Sequence, residues 1–163
     1  MNEDADRYWK LRPTAPTPEA EVCHCPDRPQ LVLQYHLAPN PLVCARCNGE
    51  VPPEQLGFSA EVAELVATWR ELAAALFALE LDSGEYEQYA RQRLLDPQSR
   101  VNQLGLQAVA QLSQHCRTYY GWFVDEEARD RPAPSACPRC HGPLVPLFAH
   151  RVCDACSILV PAR

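Results

Sequence analysis

The sequence predicts an α+β chain with small cysteine-bearing modules at its two ends and a central core of about three helices. Three observations carry this reading. Nine of the sixteen prolines fall in residues 1–56, which excludes long helices there. From Ser59 onward, apolar residues recur with a period near 3.6, the mark of amphipathic helices. The cysteines gather in two groups, one on each side of that helical stretch.

In the N-terminal stretch, QLVLQYHL (residues 30–37) has the composition and near-alternation of a strand, bounded by Pro29 and by Pro39-Asn40-Pro41. Tyr8 and Trp9, in RYWKL, are placed to pack the N-terminus onto the helices. Ser59 is a fitting N-cap for the first helix, along which Val62, Leu65, Val66, Trp69, Leu72, Ala73 and Leu76 share one face. Glu61 complements the positive end of the helix dipole, and Asp82-Ser83-Gly84 supplies the turn that ends the helix. A shorter helix, EYEQYARQRLL, follows with Ser83 as its cap and Tyr86, Tyr89, Ala90 and Leu94 toward the core. The third opens at Asp96-Pro97, with Asp96 as cap and Pro97 in the first helical position. It carries Val101, Leu104, Ala108, Val109, Leu112, Cys116 and Tyr119, and Gly121 lies where it should end. DEEARDRPAPSA reads as a charged linker. The expected organisation is a proline-rich module over 1–56, a helical core over 57–124, a linker over 125–136 and a second cysteine module over 137–163. The two cysteine modules differ in internal spacing and show no convincing similarity residue by residue.

No run approaches the roughly 18 apolar residues of a membrane span, and the start MNEDADRYWK is acidic where an export signal is basic and then apolar. The expectation is a cytoplasmic protein. Nine cysteines is an odd number, and a reducing compartment disfavours disulfides, so metal ligation is the better use for the thiols.

Cys137 and Cys140, then Cys153 and Cys156, form two CxxC pairs joined by a strand-like connection. A CxxC turn places two sulfurs on one side of an ion, and two such turns complete a tetrahedron, so these four predict a structural Zn2+ site. Cys23, Cys25, Cys44 and Cys47 form a less regular set, a CxC followed by a CxxC, and predict a second zinc. His24 or His36 can replace one sulfur there. His141 and His150 flank the C-terminal set and either hydrogen-bond around the metal or face solvent. With four thiolates each, both sites are expected to be closed and structural. Neither set carries the His-x-Glu pairing of a zinc deaminase.

Cys116, on the apolar face of the third helix, reads as a buried thiol. TYYGWF (residues 118–123) reads as aromatic packing at a helix end, with a base-stacking platform as the alternative. The chain shows no carboxylate pair, no nucleophile with a nearby base and no glycine-rich phosphate loop, having only six glycines. An enzyme is not expected.

Charge bears on the partner. Residues 1–56 carry a net −3, residues 57–136 a net −5 and residues 137–163 a net +2, which together make the −6 of the whole chain. Four thiolates around one divalent ion add −2 per site, for a total of about −10 with both sites filled. The C-terminal module, with Arg139, Arg151 and Arg163 against Asp154, then falls to about neutral. Phosphate binding needs clustered basic residues, so nucleic acid requires Arg91, Arg93, Arg100 and the C-terminal arginines to share a face. An acidic surface suits a basic protein instead, and Glu85, Glu87, Asp125, Glu126, Glu127 and Asp130 are the candidate contacts.

The arrangement CxC…CxxC, a helical middle containing LDSGEYEQYARQRLLDP, then CPRC…CDAC resembles small bacterial double zinc-ribbon proteins of unknown function. That resemblance implies two zinc-ribbon modules flanking the helical core. Small acidic cytosolic proteins of this kind also resemble immunity proteins, which block a cognate toxin by occlusion. The expected function is therefore a non-catalytic, zinc-stabilised interaction protein, an immunity protein against a basic bacterial nuclease toxin being one form of it. The alternative is a nucleic-acid-binding zinc-ribbon regulator.

Overall fold

The two cysteine-bearing ends of the chain share one sheet. The structure, a computed structural model, describes residues 6–27, 29–125 and 134–161. The linker residues 126–133, the acidic candidates Glu126, Glu127 and Asp130, and Arg163 lie outside the described residues.

Near the N-terminus, β1 (Leu31–Leu33) and β2 (Leu42–Cys44) pair antiparallel. At the other end, β4 (Val145–Leu147), β5 (His150–Cys153) and β6 (Ile158–Pro161) form an antiparallel meander. Between them lies β3 (Thr118–Gly121), parallel to β1 on one side and to β6 on the other. The strand order is β2-β1-β3-β6-β5-β4. Strand alternation divides the apolar side chains. Leu31, Leu33, Leu42, Tyr120, Ile158 and Val160 belong to the main core, while Val32, Val43, Tyr119, Val152 and Leu159 form a second cluster.

The position of β3 corrects the sequence reading of TYYGWF as a helix end. The third helix, α3 (Arg100–Leu112), stops one turn after Val109, and the chain turns through Ser113–Arg117 before extending. Cys116 is therefore in that turn and not on a helix face. It is buried as expected, with its thiol donating to the Pro29 carbonyl at 2.7 Å. Tyr119 is a strand residue, and Gly121 is a strand end rather than a helix stop.

The first helix, α1 (Ala60–Asp82), begins as expected: the Ser59 hydroxyl accepts from the Val62 amide at 3.4 Å. Val66, Trp69, Ala73 and Leu76 of the anticipated face are buried, and Leu65 and Leu72 pack partly buried against them. Two caps differ from expectation. Ser83 donates its hydroxyl back to the Leu79 carbonyl of α1 and does not cap the helix that follows, α2 (Glu87–Leu95), which is entered through a short 3-10 turn. The cap of α3 is Ser99, whose hydroxyl accepts from Asn102, and not Asp96; Pro97 lies in the turn before it. The Asp96 carboxylate instead closes that turn by accepting from the Gln98 amide at 2.9 Å. Tyr86 and Tyr89 are exposed, whereas Ala90 and Leu94 reach the core.

At the N-terminus, Tyr8 packs edge-on to Phe58 and donates to its carbonyl at 2.8 Å. Trp9, expected to pack beside it, is 66% exposed, and the anchoring apolar residue is the fully buried Leu11.

Three elements meet at one polar hub. The Trp69 indole N–H of α1 donates to the Tyr120 hydroxyl of β3 at 3.2 Å, and that hydroxyl donates to Asn102 Oδ1 of α3 at 2.9 Å. Asn102 Nδ2 in turn donates to the carbonyls of Leu94 and Asp96 at 2.9 and 2.8 Å, tying in the end of α2. All three side chains are buried, so each polar atom needs the partner it has. Gly105 makes this possible: a Cβ there would lie 2.3 Å from the Tyr120 ring and 2.7 Å from the Trp69 indole nitrogen.

Candidate metal centres

Eight of the nine cysteines converge in two groups, Cys23, Cys25, Cys44 and Cys47 in one and Cys137, Cys140, Cys153 and Cys156 in the other. Within each group all four sulfurs lie within 4.8 Å of one another. The Cys25–Cys44 and Cys140–Cys153 sulfur pairs are 4.0 and 3.7 Å apart. These distances are far from the ~2.05 Å of a disulfide. Four sulfurs on a tetrahedron with ~2.3 Å metal–sulfur bonds stand about 3.8 Å apart, so both groups fit a divalent ion.

The turns that aim the sulfurs share a pattern, although the modules around them differ. CARCNG (residues 44–49) and CPRCHG (residues 137–142) are both C-x-R-C-x-G. In the first, the Asn48 amide donates to the Cys44 carbonyl at 2.8 Å and the Cys44 amide to the Gly49 carbonyl at 2.9 Å. In the second, His141 and Cys137 make the same two bonds to Cys137 and Gly142, both at 2.9 Å. Asn48 and His141 each have φ of 58°, in the left-handed region, as does Ser157 (φ 52°) after the last CxxC. The glycines have separate reasons. A Cβ on Gly49 would lie 2.8 Å from the Cys23 nitrogen, so glycine lets the CxC leg approach the CxxC turn. A Cβ on Gly142 would lie 3.3 Å from Cys140 Sγ.

The remaining leg, Cys23-His24-Cys25, has no such turn. It is held as an extended segment: the Cys23 amide donates to the Glu50 carbonyl at 2.8 Å and the Glu50 amide to the Glu21 carbonyl at 2.7 Å. The Glu50 carboxylate accepts from Thr17 and Asn40, at 2.6 and 3.1 Å, and so fixes this loop to its neighbours.

The histidines near the two cysteine sets, His24 and His36 offered as ligands among them, stand outside both sulfur groups. His24 turns outward to the Glu19 carbonyl at 3.0 Å. His36 is half-buried beside Glu50, in a cavity walled by the proline-rich segment. His141 occupies the left-handed turn position, and His150 is half-buried on β5.

The thiols hold protons unevenly. Burial pushes Cys23 and Cys156 up to about 12 and raises Cys25 and Cys153. The Gly142 amide, with help from the other three sulfurs, holds Cys140 down at about 7. At Cys47 burial acts upward, but the Gly49 amide and the neighbouring sulfurs outweigh it and leave the thiol lowered. Four thiolates cannot share so small a space without a cation, and a divalent ion removes that conflict by taking all four as ligands.

Side chains between the paired cysteines tie each group to the rest of the fold. Asp154, inside the last CxxC, accepts from Arg117 at 2.7 Å and from the Tyr119 hydroxyl of β3 at 2.8 Å. Arg46, inside the first CxxC, stacks over Phe148 of the β4–β5 turn at 5.0 Å, so the first metal turn touches the second module directly. Among the described residues no helix is long and apolar enough to cross a membrane. Compared with known protein families, curated proteins and solved structures, the chain matches none of them; each of its two four-cysteine groups could hold one metal ion.

Proposed function

We propose that this chain is a non-catalytic interaction protein, in which two zinc-ribbon-like modules, each closed around one structural Zn2+, stiffen a scaffold that presents an acidic surface to a basic protein partner. The observation behind it is the ligand set: each group offers four sulfurs and nothing else. Zinc in such a set supplies a cross-link, with no position left for water or substrate. On the order of 10 kcal/mol of binding free energy per site, against a whole-domain stability of about 5–15 kcal/mol, makes folding depend on the metal.

The net charge of −6 directs the choice of partner. The partner class this reading favours is a bacterial nuclease toxin with a basic active-site face, which makes the chain its immunity protein. The nucleic-acid alternative asks Arg91, Arg93 and Arg100 to present free charge. Arg91 instead contacts Glu80 and Asp125, and Arg93 contacts Asp96, so carboxylates already engage two of the three.

Metal analysis of the purified chain is expected to give two zinc ions. Co-expression with the product of the adjacent gene is expected to give a stable 1:1 or 2:2 complex and to protect cells if that product is a toxin. A folded, metal-loaded protein that neither binds nor protects sinks the immunity reading. A steep salt-dependent shift of generic DNA or RNA supports the regulator instead.

A further inference from the structure

The three parallel strands β1, β3 and β6 run in one direction, and their carboxyl ends open together into a cleft of about 1020 Å³ between the sheet and α1. In open sheets with parallel strands, the crevice beyond the carboxyl ends is where ligands bind. The volume is just above the ~300–1,000 Å³ typical of small-molecule sites, enough for several side chains.

Its lining is mostly apolar, with Gln34, Glu80 and Asn102 among the polar members, and only partly covered. Tyr35 stacks on Phe77 at 4.4 Å, and Phe77 meets Phe123 edge-on at 5.4 Å. All three rings are half-buried, and Leu81, on the same wall, is 71% exposed. These rings pack against the core and leave part of their surface, together with Leu81, uncovered; large aromatic side chains are enriched in the cores of protein interfaces.

Among the described residues Glu80 is the one carboxylate that lines the cleft, and unpaired acidic residues lie next to it along the chain, outside the lining. α1 ends there, and its last turn holds Glu80 and Asp82 but no basic residue. The carbonyl end of a helix dipole favours cations, so this turn opposes its own dipole. Arg91 reaches Glu80 from α2 at 3.2 Å. Asp82 and, just beyond it, Glu85 are exposed and have no cationic partner among the described residues. Such an arrangement costs the free protein stability and is relieved when a partner brings positive charge.

We infer that this cleft is the docking site for a basic peptide segment of a protein partner. A large apolar side chain of the segment enters between Tyr35, Phe77 and Phe123. A flanking Arg or Lys meets Asp82, Glu85 and the carbonyl end of α1. This rests on the interaction reading above and names the surface that serves it.

The test uses the zinc-loaded full chain and two pentapeptides, one with tryptophan between two pairs of arginines and one with glutamates in their place. Amide NMR shifts are expected at Tyr35, Phe77, Leu81, Gly121 and Phe123 with the arginine peptide alone. The exposed double variant Asp82→Lys/Glu85→Lys is expected to bind it at least tenfold more weakly, with a melting temperature unchanged or raised because the lysines complement the dipole. Equal binding of both peptides, or undiminished binding by the variant, overturns the inference. If the arginine peptide binds but the shifts map to another acidic face, this site falls and the interaction reading stands. If no amide moves even at low salt, both fall.

Discussion

Replacing Tyr120 with Phe removes one oxygen and tests the placement of β3 directly. That hydroxyl accepts from the Trp69 indole at 3.2 Å and donates to Asn102 at 2.9 Å, linking strand, α1 and α3. Its loss leaves a buried N–H and a buried amide oxygen without partners, in residues only 1% exposed each. An unsatisfied buried group costs about 1–3 kcal/mol, so the pair should cost about 2–4 kcal/mol after the saving from no longer burying the hydroxyl. For a chain of this length each kcal/mol lowers the melting temperature by about 2–4 °C, giving roughly 5–15 °C. Ring packing is retained, because the edge-on contacts with Trp69 and Trp122 use ring atoms alone. The assay is urea and thermal unfolding of zinc-saturated protein, followed by near-UV circular dichroism. A loss below about 0.5 kcal/mol, the ordinary range for surface changes, would refute the buried hub and with it the strand assignment of Thr118–Gly121.

Three further outcomes follow from the same structure. Gly105→Ala forces a Cβ to within 2.3 Å of the Tyr120 ring, and overpacking of about 1–3 kcal/mol should outweigh the ~1 kcal/mol gain in helix propensity; a net stabilisation in urea refutes the α3–β3 contact. Cys140→Ser should lower the zinc content from two ions per chain to one and speed amide exchange across β4, β5 and β6, whereas unchanged metal content refutes the ligand assignment. Burial, reinforced by Arg70 and opposed by Glu50, holds the His36 imidazole below its ordinary range. Below pH ~6.5 the unfolded chain therefore takes up a proton that the folded chain resists, and stability falls as the pH is lowered; His36→Gln should flatten the unfolding profile below about pH 6.5, and an identical profile rejects the assignment.

The two four-cysteine groups were legible because their geometry is local: CxxC spacing alone places two sulfurs together. α1 was legible because its period holds over many turns and Ser59 marks its start. β3 was not, for a specific reason. Cys116 and Tyr119 fall four and seven residues after Leu112, which is helical spacing, so the apolar pattern of α3 runs on past the point where the backbone stops being helical. The opposing signal was the run Thr-Tyr-Tyr, rich in strand-favouring residues, but a strand of four residues gives too short a pattern to outweigh a continuing period. Parallel pairing adds to the difficulty: β3 is covered on both faces, so the inside–outside alternation of an antiparallel strand is missing. The caps failed more simply, since Asp96 and Ser99 are both good N-caps and stand only three residues apart, the one accepting from Gln98 and the other from Asn102. The shared C-x-R-C-x-G turns are hidden at the level of whole modules, because outside six residues the two modules differ.

The central place of β3 bears on the order in which the protein can be made. β1, buried on both faces in the finished sheet, has its second edge covered only by β3, which lies roughly 90 residues later and takes about 5–20 s more to synthesise at 5–20 residues per second. During that interval the first metal site can close, since its four cysteines have already emerged, while Leu31, Val32 and Leu33 present an open apolar edge. Metal capture at the N-terminal cysteines can therefore come before sheet completion, with the second edge of β1 left open until β3 is made.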